Sequence, residues 1–96
     1  MALIIGASSI EMRIYGAATL KDKRSVLRPI LAALRREFLV SAAEIDLLDA
    51  PGMTLIGLAI AANEAAHAHA VLEKCIDWLE RERLDVELVT YEIEIL

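Results

Sequence analysis

The stretch "TLKDKR" at residues 19–24 opens a run in which six of the chain's ten Lys and Arg residues lie between Lys21 and Arg36. The 96-residue chain as a whole carries a formal net charge of −5. Positive charge gathered on one segment of an acidic protein is suited to phosphate backbones, because each Lys or Arg releases condensed counterions. At 100° per helical residue, Lys21, Arg24, Arg28 and Arg35 fall within about 60° of one another, away from the leucines of the same segment. They are the candidate nucleic-acid-binding residues, and the competing reading is a solubilising helix face. Lys23 points nearer the apolar side and is expected to snorkel.

Other residue types capable of chemistry are less well arranged. Glu92 and Glu94 would stand about 7 Å apart on one strand face, the spacing of an acid and base pair, but alternating outward Glu is common on solvated strands and no cleft is implied. His67 and His69 are two apart on a helix, about 200° around it, and cannot chelate one ion together. Cys75 falls on a core stripe and reads as a small hydrophobe. Trp78 lies beside that stripe as a lid on the core. Gly6 in "GASS" lacks the glycine spacing of a phosphate loop or dinucleotide fingerprint. No catalytic residue, metal site or cofactor is expected.

The elements that position these residues follow from periodicity. Residues 4–15 alternate, with Ile10, Met12 and Ile14 opposed to Ser9, Glu11, Arg13 and Tyr15, as in a strand buried on one face. After Gly16, Ala17 and Ala18, Thr19 with Asp22 resembles a capping box, with Asp in the usual Glu position, and a helix is expected to start near Leu20. Leu20, Leu27, Ile30, Leu31, Leu34 and Phe38 form its apolar stripe. Pro29 costs about 3 kcal/mol inside a helix, so the spacing predicts one kinked helix or a second helix beginning near Pro29. Residues 40–48 alternate weakly, setting Ala43, Ile45 and Leu47 against Glu44 and Asp46, as in an edge strand. "DAPG" breaks the chain. "MTLIGLAIAAN" is apolar on both faces and suits a central strand. Asn63 is the expected N-cap of a second helix running to about Glu82, with Val71, Leu72, Cys75, Ile76 and Leu79 inward. "VELVTYEIEIL" is a last strand, with Val89, Tyr91, Ile93 and Ile95 inward and Glu92 and Glu94 outward.

The order strand, helix, strand, strand, helix, strand is the split βαβ pattern of an α+β, ferredoxin-like domain. One such domain over residues 1–96 accounts for the length. It predicts a four-stranded antiparallel sheet in the order 4-1-3-2, with both helices on one face because crossovers are right-handed. The open face would collect Glu11, Glu44, Asp46, Glu92 and Glu94 against Arg13, which repels RNA, and only Tyr15 could serve there as a stacking platform. A strip of Leu55, Gly57, Ala59 and Ala61 leaves an apolar band on that face, a candidate interface for a homodimer.

Hydrophobic residues make up 57% of the chain, and its mean hydropathy is +0.50. Even so, the longest uncharged run, Ala50 to Asn63, is shorter than the roughly 18–20 residues a bilayer span requires. The apolar start alternates onward into "IEMRI" and reads as a strand rather than a signal peptide. A single cysteine agrees with a reducing compartment. A cytoplasmic location with no membrane partner is expected.

The strand and turn leading into "TLKDKR", the "VSAAE" after the first helix, the Asn opening the second helix and the closing "YEIEIL" resemble the YlxP-like family, a bacterial domain of unknown function numbered 503. The resemblance implies a ferredoxin-like fold and at most an association with translation or ribosome assembly. Many members carry His, Gln, Trp and Arg after the second strand, where this chain reads "LLDAPGM". The leading expectation is a non-enzymatic domain that binds RNA or a ribosomal particle through its first helix. The alternative is a homo-oligomeric scaffold using the sheet face, and a small-molecule enzyme is a distant third.

Overall fold

The computed structural model describes residues 2–96. Six elements follow in the expected order: β1 (Ile4–Ile14), α1 (Leu20–Phe38), β2 (Ser41–Asp46), β3 (Met53–Ala62), α2 (Ala65–Glu82) and β4 (Val86–Ile95). The strands form one antiparallel sheet, β2-β3-β1-β4, which is the predicted order read from the other edge. Ile10, Met12, Ile14, Ile56 and Leu58 are buried in one cluster with Leu27, Ile30 and Leu34 of α1 and Leu72, Cys75 and Ile76 of α2. Both helices therefore cover the same face. Gly6 explains the close approach of α2, since a Cβ there would lie 3.1 Å from the Ala68 Cβ and from a Leu72 methyl.

The first helix begins as its sequence dictates. Thr19 accepts from the Asp22 amide while the Asp22 carboxylate accepts from the Thr19 and Ala18 amides. The Ala18 amide, with the Thr19 hydroxyl and amide behind it, holds the Asp22 carboxyl below the ordinary aspartate value. Pro29 does not divide the segment, and α1 runs as one helix with proline inside it. It ends on Leu39 in the left-handed region, at φ 55° and ψ 41°, where L-residues other than Gly and Asn are disfavoured.

Four local expectations are corrected. Lys23 does not snorkel: it is only 2% exposed. Its Nζ donates to the carbonyls of Leu47 (2.8 Å), Ala50 (2.8 Å) and Met53 (3.1 Å) and lies 2.7 Å from a Glu44 carboxylate oxygen. Glu44 therefore leaves the open face. It pairs with inward Ile56 and also accepts from the Thr54 hydroxyl at 2.6 Å. The alternation read for residues 40–48 is out of phase from the start of the strand, since Ala42 is buried and Glu44 pairs with inward Ile56 while Ala43 pairs with Gly57 on the open face; a register shift between Glu44 and Asp46 then returns Asp46 to that face. Ile45 is left on the open side, and Leu47 lies beyond the strand at φ 60°.

Strand β4 also departs from its expected alternation. Its register to β1 shifts where Glu11 faces Thr90 and Met12 faces Leu88, leaving Val89 as the extra residue. One inserted residue reverses which side chains face inward. Val86 and Leu88 therefore serve the core before the bulge and Ile93 after it, whereas Val89 is exposed; Tyr91 lies opposite buried Ile10, on the helix side as expected, but is 46% exposed. Finally, the N-cap of α2 is Glu64, not Asn63, and the Glu64 side chain makes no capping hydrogen bond.

Lys23→Met would strand the Glu44 carboxylate and three carbonyls, and is expected to cost about 3–5 kcal/mol in a urea titration. Combining it with Glu44→Gln should cost less than the sum of the two single changes. Leu39→Gly removes the left-handed penalty at an exposed site and should stabilise the fold by about 1 kcal/mol, seen as a higher midpoint in thermal unfolding.

Candidate nucleic-acid interface

Helix α1 turns its apolar stripe to the sheet, so residues at intervals of three and four on its far side face solvent. Lys21, Arg24 and Arg28 lie there, and with Ser25 and Pro29 they line one open surface depression. Among the described residues, none of these three cations is in an ion pair. The nearest acid in sequence, Asp22, is occupied by the capping box.

Arg35 departs from the continuous ridge read from the helical wheel. Its Nε and Nη2 both donate to the Ala42 carbonyl, at 3.1 and 2.6 Å, which ties the end of α1 to the edge strand β2. The side chain remains exposed, but its fork is committed to the fold. Arg36 pairs with Glu37 at 3.5 Å. The free basic surface therefore narrows to Lys21, Arg24 and Arg28.

The opposite side of the molecule is the open sheet face. Ala7, Ser9, Ala43, Gly57 and Ala59 floor a shallow depression of about 450 Å³, with Ile45 on one side and Glu92 and Glu94 on the other. Of the strip Leu55, Gly57, Ala59 and Ala61, only Gly57 and Ala59 line it. Gly57 is required by a close approach: a Cβ there would stand 3.0 Å from an Ile45 methyl, so the missing side chain makes room for Ile45. Sequence alternation misses this contact because it set Glu44 outward and Ile45 inward, the reverse of the phase in which β2 pairs with β3. Glu11, Asp46, Glu92 and Glu94 keep the face acidic, since Glu11 pairs with Thr90, Asp46 with Leu55, Glu92 with Ser9 and Glu94 with Ala7.

Arg13 is engaged by Glu87 at 3.2 Å, and the Tyr15 hydroxyl donates to the same carboxylate at 2.9 Å. That hydrogen bond raises the Tyr15 pKa and ties down the aromatic that could have served as a stacking platform on that face.

The remaining candidates have structural surroundings. Cys75 is fully buried, and burial pushes its thiol up to about 11, which leaves little thiolate near neutrality. His69 Nδ1 lies 2.7 Å from Glu73 one turn on, and His67 is exposed. Among the described residues no three His, Cys, Asp or Glu side chains gather as metal ligands. Trp78 meets Phe38 edge-on at 6.1 Å and packs against the core as a lid. No helix among the described residues is long and apolar enough to cross a membrane.

Known proteins extend these observations. Solved structures with this fold include a de novo designed ferredoxin-fold protein, LFR1 1, at 11% identity and TM-score 0.56, covering 99% of this chain and 84% of that one. A Chloroflexus aurantiacus J-10-fl protein, whose given name is that of a proposed antibiotic biosynthesis monooxygenase, matches at 16% identity and TM-score 0.55, covering 96% and 92%. At these identities the likeness is one of fold. The uncharacterized protein YlxP of Bacillus subtilis (strain 168) is 31% identical over 77 residues, which is 80% of this chain and 84% of that protein. The family described as "Protein of unknown function (DUF503)" matches residues 5–93, and the chain belongs to that family.

Proposed function

We propose that this protein is a non-enzymatic binding domain that engages RNA or a ribonucleoprotein through the outer face of α1. One observation carries the reading: Lys21, Arg24 and Arg28 surround a common depression without an ion-pair partner, in a protein whose net charge is −5. Unpaired cations on a rigid helix are available to release phosphate counterions with no internal bond to break first. The acidic sheet face lies on the far side of a molecule whose two short dimensions are 23 and 21 Å. Screening over about 10 Å at 0.1 M salt lets the basic face act apart from it. Position then matters more than total charge.

The open face supports a second reading, contact between two copies of the chain. Its favouring observation is the apolar floor beneath Ile45, with Gly57 and Ala59 in it. Self-association would cover this floor, and Glu92 and Glu94 would have to sit at the rim to avoid facing their counterparts.

Fluorescence anisotropy with labelled RNA separates local from bulk charge. Arg24→Glu with Arg28→Glu should abolish binding, and wild-type affinity should fall steeply with salt. Lys74→Glu with Arg81→Glu changes the charge equally on α2 and should have little effect. Arg83 is a poorer control because it makes two hydrogen bonds to Asp85. Equal losses from the two double variants would reduce the effect to bulk charge. For the second reading, light scattering should show a dimer that Ala59→Arg splits, and a wild-type monomer at high concentration would exclude it.

A further inference from the structure

The depression on α1 contains a backbone feature that its charges do not explain. In a helix the carbonyl of residue 25 accepts from the amide of residue 29, but here residue 29 is proline and brings no N–H. The Ser25 hydroxyl offers no replacement, since it donates backwards to the Lys21 carbonyl at 3.1 Å. Ser25 and Pro29 are both exposed, and both line the surface where Lys21, Arg24 and Arg28 meet. The site therefore combines three cationic donors with one carbonyl acceptor deprived of its helical partner.

A phosphate satisfies the cations but has no proton for that carbonyl. Bound alone, it would leave an acceptor facing a negative group. A ribose 2′-hydroxyl is both donor and acceptor, and it lies beside the phosphates of the same strand. No aromatic side chain lines the depression. Single-stranded segments depend largely on aromatic stacking, whereas duplex RNA is held by phosphate and 2′-hydroxyl contacts across its wide, shallow minor groove. Lys21 to Arg28 spans about 10 Å of helix axis, a short ridge that can lie along such a backbone.

We infer that the depression around Pro29 binds the backbone of an A-form RNA duplex, with phosphates on Lys21, Arg24 and Arg28 and a neighbouring 2′-hydroxyl donating to the Ser25 carbonyl. This rests on the polyanion-binding reading of α1 and adds to it the identity of the sugar. Pro29 then serves recognition by keeping one helix carbonyl free.

The test uses the full chain and three duplexes of one sequence: RNA, RNA carrying 2′-fluoro in place of every 2′-hydroxyl, and DNA. Fluorine preserves the A-form but cannot donate a hydrogen bond. Wild-type protein should bind the RNA duplex about 3- to 10-fold more tightly than the fluorinated one, the range that one neutral hydrogen bond supplies. Pro29→Ala restores the amide to Ser25, and should close that gap while leaving the salt dependence unchanged. Removing a proline from a helix interior should also raise its thermal midpoint, which shows that the variant is folded. Equal wild-type affinity for RNA and fluorinated RNA, or a gap that survives Pro29→Ala, overturns the inference while polyanion binding stands. Failure to bind any of the three duplexes or a single-stranded RNA at low salt overturns both.

Discussion

The Lys23 ammonium is held in the interior by one carboxylate and three backbone carbonyls, and much of the rest of the molecule is arranged around it. A buried charge is costly unless paired and hydrogen-bonded, so its partners must all be in place together. Two of the carbonyls, from Leu47 and Ala50, belong to the loop between β2 and β3, and the third, from Met53, opens β3. One side chain from α1 thus ties that loop to the helix layer. Leu47, whose carbonyl accepts from Lys23, adopts a left-handed backbone unusual for leucine.

Glu44 is drawn to the helix side by the same pair. With Glu44 inward, Ile45 beside it falls on the open face, above Gly57. A residue in the helix layer therefore bears on the shape of the opposite surface. The "LLDAPGM" loop contributes through its backbone here, so apolar side chains in it are compatible with an ordered, hydrogen-bonded turn.

Charge is divided between the two sides for related reasons. Positive residues on α1 that face the sheet or its edge are consumed by structure: Lys23 in the interior and Arg35 on the Ala42 carbonyl of the edge strand. Only cations directed away from both remain free. The acidic residues lie on strands, where strict alternation sends every second side chain to the open face unless a bulge intervenes.

The sequence by itself determined the element order, the capping box at Thr19 and Asp22, the core faces of β1, β3 and both helices, and hence the sheet order and the side on which the helices pack. These depend on periodicity and on contacts between residues close in the chain, which a linear string records directly. It also located the basic face of α1, because helical spacing is a local property. Only the tertiary structure decided the fates of Lys23, Glu44, Arg35, Ile45 and Val89. Each depends on a partner in another element or on the phase and register of one strand against the next, and neither leaves a mark in periodicity. Val89 fits an alternating pattern as well as Leu88 does until β1 supplies the register. Lys23 lies close enough to the apolar stripe to snorkel or to be buried. Burial prevails because three carbonyls and Glu44 converge on its Nζ, replacing the hydration that the ammonium would otherwise lose.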